Sequence, residues 1–283
     1  MMSAKARKYR GKIIKTAILI LLALILIVPI VAIVLTSFKT VTQSVYDKSS
    51  FLPDVWTLEG YAYIFGSSDA VSSDYNFFLS LFNSLHIALI ASVGTVLSSS
   101  IVAFAFTRFD VKEKEGIFSF LMFSVMIPGQ VLMLSMYELY VNLGWKDTFL
   151  PFWIPPFLGG GILNVFLIRQ FFRGVPRTLF EAAEIDGASN FRIYSQIVLP
   201  LSVPILITVF IFTFTGNWND FMTPLVYLTS REKFPLAYSL YNIYDGIYIN
   251  KDLLGIGGER PWNIVGAACI MSALPIVLLF FFT

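Results

Sequence analysis

The stretch from Ala17 to Leu35 carries not one polar side chain, and this run narrows what the chain can fold into more than any other feature. At about 1.5 Å rise per residue, a helix of that length nearly crosses a hydrocarbon core about 30 Å thick. Only 13% of the residues are charged and 57% are hydrophobic, whereas soluble domains carry roughly 25% charged residues. Lipid is therefore the expected solvent. Lys5, Arg7, Lys8, Arg10, Lys12 and Lys15 ahead of the run resemble the basic leader of a cleaved signal peptide. The apolar stretch is longer than a usual signal core, no small-x-small cleavage site follows, and more apolar segments come later, so it is expected to persist as a first span.

Five further apolar segments lie at roughly 78–107, 116–136, 149–171, 201–228 and 262–283. Six spans put both termini on one side of the membrane. If that side is the cytoplasm, the six leading basic residues join Arg108, Lys112, Lys114, Arg169, Arg173, Arg177 and Arg192 on the inside, 13 of the 20 in the chain. That is the asymmetry of the positive-inside rule, so both termini are expected in the cytoplasm. Pro151, Pro155 and Pro156, followed by Gly159, Gly160 and Gly161, interrupt the fourth segment and predict a broken or late-starting helix. Irregular backbone at that depth survives only where neighbouring protein or a water-filled cavity satisfies it. Residues 39–75 form an expected outside loop, and no internal repeat divides the chain, which is taken as one membrane domain over residues 1–283.

Several chemistries lack their residues. A formal net charge of +2, not gathered into a stripe, does not point to nucleic acid. No Gly-x-x-x-x-Gly-Lys-Ser/Thr loop is present to cradle nucleotide phosphates, so any ATP chemistry belongs to a partner. His86 is the only histidine and Cys269 the only cysteine, which leaves no metal set, intrachain disulfide or nucleophilic triad; His86 is expected to bond to its own helix. Met122, Met126, Met133 and Met136 are expected to fill gaps.

Residues 176–200 differ from the rest. They predict helix, turn, helix: Pro176 suits a first turn, Glu181 to Ile185 favour helix, Gly187 suits a left-handed stop, and Ser189 or Asn190 can cap a second helix running to Pro200. Glu181, Ala182, Ala183, Gly187, Ile197, Leu199 and Pro200 match the pattern Glu-Ala-Ala, three residues, Gly, nine residues, Ile-x-Leu-Pro at every specified position. In this the chain resembles the permease subunits of binding-protein-dependent ABC importers, an all-α family with six transmembrane helices. The resemblance implies that these residues, with Asp186, form a cytoplasmic coupling loop docked on an ATPase subunit. Further matches narrow the resemblance to maltose-type oligosaccharide permeases: Phe82-Asn83-Ser84-Leu85, Ala103 to Phe109, Met126 to Val131, and Trp218-Asn219-Asp220-Phe221-Met222-Thr223-Pro224-Leu225. It departs where no proline precedes the pair at Leu134-Ser135-Met136-Tyr137, and where the family's polar tail is missing after Phe282-Thr283, which bears on tail contacts with the ATPase.

The family implies a second homologous permease, two cytoplasmic ATPases carrying ATP and Mg, an extracytoplasmic sugar-binding protein, a bacterial inner membrane and no cofactor on this chain. Because polar groups in a bilayer are costly and tend to face a bundle interior or an aqueous path, Asn83, Gln130, Asn164, Asn217, Trp218, Asn219 and Asp220 are candidates for the substrate pathway. The alternatives are that they bridge helices or sit in an interfacial belt. An ion-gradient-driven secondary transporter is the competing function, and a non-transporting scaffold another; Asp220 alone offers a membrane-depth carboxylate for the first.

Overall fold

The computed structural model describes residues 4–47, 49–66, 75–245, 254 and 259–282. The side chains of residues 4–11 lie outside this description, Lys5, Arg7, Lys8 and Arg10 among them, as do residues 67–74 of the long loop. Among the described residues all regular structure is helical. In chain order the helices are α1 (Ala4–Ser37), α2 (Val41–Tyr46), α3 (Glu59–Ile64), α4 (Phe77–Arg108), α5 (Lys114–Met126, closing in a 3-10 turn), α6 (Gly129–Asn142) and α7 (Leu150–Trp153). They continue with α8 (Ile162–Phe172), α9 (Arg177–Ile185), α10 (Asn190–Leu201), α11 (Val203–Trp218), α12 (Met222–Tyr227), α13 (Leu236–Asp245) and α14 (Trp262–Phe282). Among the described residues four helical stretches are long and apolar enough to cross a membrane, Lys12–Ser37, Phe77–Arg108, Leu150–Phe172 and Trp262–Phe281, and two bent pairs add up to two more.

The chain divides into two compact units, residues 1–75 with 242–275, and residues 76–241 with 276–283. In the first unit, Asn263 near the start of α14 is fully buried. Its amide donates to the Lys39 carbonyl at 3.1 Å and its carbonyl accepts from the Ser44 hydroxyl at 3.2 Å. The Gly60 backbone lies so close that an added Cβ would stand 2.7 Å from the Asn263 carbonyl oxygen.

The second unit is organised on α4. Its buried face runs through Ala88, Ala91, Ser92, Thr95, Ser99 and Ala103, a ribbon of small side chains at helical spacing that packs chiefly against α11 and α8. The broken fourth segment seats on the same ribbon. Phe157 lies against Gly94, where a Cβ would meet its ring at 2.6 Å, and Gly160, at φ +66°, leaves only 2.5 Å between an added Cβ and the Thr95 carbonyl oxygen. The exposed carbonyls of the break are satisfied by protein: Ser98 donates to Pro156 at 2.7 Å and Asn164 to Gly160 at 2.7 Å. The expected interruption is thus present together with its compensation.

Two segments expected as continuous spans are bent. The third breaks at Ile127-Pro128 into α5 and α6, 95° apart, because Pro128 has no N–H to donate and holds Ile127 extended at ψ 116°. The fifth, expected over 201–228, begins after a 78° bend at Ser202, between Pro200 and Pro204, and its helix ends at Trp218. The Asp220 carboxylate then accepts from the Thr223 backbone N–H at 3.1 Å, which starts α12.

A polar tie joins the loop after α6 to the loop after α12. Asp147 sits at φ 55° and its N–H donates to the Tyr227 carbonyl at 2.8 Å. Burial would raise the Asp147 pKa, but hydrogen bonds from the Ser230 hydroxyl, the Ser230 and Thr229 N–H groups and Lys233 hold it well below the usual carboxylate range. A depressed carboxylate stabilises the fold fully above its unfolded pKa of about 3.9 and loses that contribution as pH falls below it. The Asp147→Asn variant in detergent is therefore expected to be less stable than the wild type by about 1–3 kcal/mol at pH 7, with the gap closing only below about pH 4. Gly160→Ala is expected to lower stability by about 1–3 kcal/mol through backbone strain and crowding of α4, read as a fall in thermal midpoint.

Candidate functional site

The helix-turn-helix expected over residues 176–200 is formed by α9, a four-residue turn and α10, together the elbow. Pro176 lies just ahead of the first helical residue, with φ −57° and ψ 129°. At the other end of α9 the Gly187 N–H donates to the Glu184 carbonyl at 3.0 Å and the Ala188 N–H to the Ala183 carbonyl at 2.9 Å. Together with the left-handed φ of +73° at Gly187, these bonds make a Schellman stop. Ser189, not Asn190, caps α10 by accepting from the Arg192 N–H at 3.3 Å.

The two arms are mounted on α4 and its neighbours. Ala183, Ile193, Tyr194 and Val198 are buried in one cluster with Ala103, Phe104 and Ile168. The Tyr194 hydroxyl lies 2.7 Å from the Ser100 hydroxyl, and its ring lies 5.2 Å from that of Phe104. Residues 194–198 take a wide π turn just ahead of Pro200, which lacks an N–H and crowds the preceding carbonyls. Ile197 and Leu199 are half-buried and Pro200 is exposed.

The opposite surface of the elbow is open. Glu181, Ala182, Asp186 and Gly187 are exposed, and the turn is flanked by two apolar side chains bare to solvent, Ile185 at 87% and Phe191 at 76% exposure. Their exposure was not legible in the sequence, where both count only as helix-forming apolar residues. Beside them an open groove of about 510 Å³ is lined by Glu181, Glu184, Arg108, Arg173 and Glu115, among others. Arg169, only 3% exposed, pairs with Glu115 at 2.5 Å and stacks 4.1 Å from the Phe118 ring centre, while Arg173 shares the same carboxylate at 2.7 Å. Across the groove Arg108 pairs with Glu184, and its Nε donates to Asn190 at 3.1 Å. The partly solvated Arg108–Glu184 pair adds only about 0.2–1 kcal/mol of stability, so its geometry matters more than its energy.

The pathway candidates divide by environment. Asn83 is buried and donates to the Glu232 and Phe234 carbonyls at 2.8 and 3.3 Å, tying α4 to the loop before α13. Asn164 bonds back to Gly160. Trp218, 2% exposed, continues a ladder of stacked rings from Phe210 through Phe214. Asn217 and Asn219 donate to carbonyls one turn earlier in α11, at Thr213 and Thr215. Gln130 and Asn219 are exposed, and Asn217 and Asp220 half-exposed. His86 does not bond to its own helix as expected; it stands among Phe82, Phe149 and Trp153, and its Nδ1 has no partner.

Residues 96–283 match the family model described as the binding-protein-dependent transport system inner membrane component. The chain is 30% identical to the arabinooligosaccharides transport system permease protein AraQ of Halalkalibacterium halodurans, over 92% of this chain and 88% of that protein. Identity is 28% to the polygalacturonan/rhamnogalacturonan transport system permease protein YtcP of Bacillus subtilis, over 93% and 89%. It is 30% to the maltose/maltodextrin transport system permease protein MalG of Vibrio vulnificus, over 99% and 93%. The fold is shared with a crystal structure of a bacterial ABC transporter involved in the import of the acidic polysaccharide alginate, with a TM-score of 0.79 and 22% identity over 99% of this chain and 96% of that one. With the elbow motif inside the matched region and relatives aligned along almost the full length, the chain belongs to the family of binding-protein-dependent transport system inner membrane components.

Proposed function

We propose that this chain is the permease subunit of an ATP-driven importer of oligosaccharides. It forms half of a translocation pathway with a second, homologous permease, and works with two cytoplasmic ATPases that carry the ATP and Mg and with an extracytoplasmic sugar-binding protein. Each bent pair counts as one crossing, so six spans leave both termini in the cytoplasm, and residues 1–283 act as one permease domain.

The observation that carries this reading is the elbow: a rigidly stopped turn, open on one surface at Glu181, Ala182, Asp186 and Gly187, and bolted on the other to α4 through Ala183, Ile193 and Tyr194. A surface so mounted passes a push from an ATPase into the membrane helices as a rigid body. ATP-driven closure of the ATPases would reorient the spans and open the pathway to the other side. The oligosaccharides named for AraQ, YtcP and MalG support a saccharide as cargo. Gln130, Asn217, Asn219 and Asp220 offer amide and carboxylate partners to sugar hydroxyls, while Asn83, Asn164 and the buried Trp218 shape the walls that hold them.

Proline cannot adopt the φ of +73° at position 187, and lysine at 181 reverses a charge on the docking surface. In the assembled importer, Gly187→Pro and Glu181→Lys are each expected to lower uptake of arabinan- and galacturonan-derived oligosaccharides, and ATP hydrolysis stimulated by the loaded binding protein, by about tenfold, a coupling loss of about 1.4 kcal/mol, while both variants insert normally. Undiminished uptake in both would overturn the role given to the elbow. Uptake that survives ATP depletion and collapses with an uncoupler would replace it with an ion-driven carrier.

A further inference from the structure

Arg108 is the last residue of α4, yet its side chain reaches two other helices. Its Nε donates to the side-chain amide oxygen Oδ1 of Asn190, the first residue of α10, at 3.1 Å, and its Nη2 pairs with Glu184 in the last turn of α9. One planar group therefore bridges the two arms of the elbow. The two partners are not explained by the helices that carry them. A carboxylate in the last turn of a helix faces the negative end of the helix dipole, so Glu184 is unfavourable to α9 unless a cation accompanies it. Asn190 is spared from capping because Ser189 already accepts from the Arg192 N–H. The backbone bonds of the turn stop at Ala188 and leave the angle between the arms to side chains.

We propose that Arg108 is a positioning residue that clamps α9 to α10 and locks both to the end of α4, so that a force on the exposed turn moves α4 without being absorbed by flexing of the elbow. The rigid fork of arginine suits this task, since it addresses two acceptors in fixed directions, whereas lysine offers a single point charge on a flexible stem. The clamp rests on the importer reading above and adds to it the part that transmits movement.

The test uses the complete importer in proteoliposomes, measuring ATP hydrolysis with and without the binding protein loaded from a mixture of arabinan- and galacturonan-derived oligosaccharides. Because Arg108 and Glu184 are partly solvated, Arg108→Gln and Glu184→Gln are expected to assemble with the ATPase in normal amount. Each is expected to lower the ratio of stimulated to basal hydrolysis by about fivefold or more. The exchanged pair, Arg108→Glu with Glu184→Arg, is expected to recover most of that ratio, the Asn190 amide turning its donors towards the new carboxylate. Arg108→Lys, which keeps the charge but not the fork, is expected not to. An unchanged ratio in both single variants, or a lowered ratio that the exchange fails to recover, would overturn the clamp while leaving the importer reading in place. A wild-type assembly that recruits no ATPase would overturn both.

Discussion

Close approach of backbones along one face of α4 is the constraint on which the second unit depends. Ala88, Ala91, Ser92, Ser99 and Ala103 are buried on that face, and none is large enough to hold a neighbouring helix away. In a bilayer, lipid tails compete on equal terms with apolar side chains, so tight packing and interhelical hydrogen bonds must supply the cohesion that exclusion of water supplies elsewhere. The serines of the ribbon serve both needs. Ser92 and Ser99 return their hydroxyls to their own helix, while Ser98 and Ser100 beside them lie within reach both of carbonyls one turn back and of Pro156 and Tyr194 on neighbouring elements. The broken segment and the elbow are thereby fixed to one rod, and the functional surface inherits its position from that rod.

The same economy explains why the interruption at residues 154–161 is tolerable. Two prolines and three consecutive glycines release carbonyls that lipid could not satisfy. Here they lie against α4, where the small ribbon admits Phe157 and Gly160 and a serine hydroxyl stands ready. Irregular backbone and small-residue helix are complementary halves of one contact.

Legibility in the sequence followed the range of the interactions involved. The elbow was readable because its chemistry is local: Gly187 supplies a left-handed residue, Ser189 a cap, and both act within a few positions. The break before α8 was readable for the same reason. The bend at Pro128 was not, since a single proline kinks some helices and redirects others, and only the 95° turn between α5 and α6 distinguishes the cases. In the sequence Arg108 stands out only as an inside charge and as part of the Ala103 to Phe109 match, because Glu184 and Asn190 are remote along the chain and meet it only once α4, α9 and α10 have packed. Trp218, by contrast, announced its polar neighbours but not its burial, which depends on the ring ladder with Phe214.

The π turn at residues 194–198 bears on how the spacing of the Glu-Ala-Ala motif is to be counted. A turn closed over five residues instead of four inserts one position into the ladder, and one position of an α-helix is a rotation of about 100°. The interval between Gly187 and Ile197 is thus an angular setting as much as a length. It fixes the azimuth at which the second arm meets the bend at Ser202, so that shortening this interval by a single residue would redirect the apolar face of the arm while leaving its composition intact.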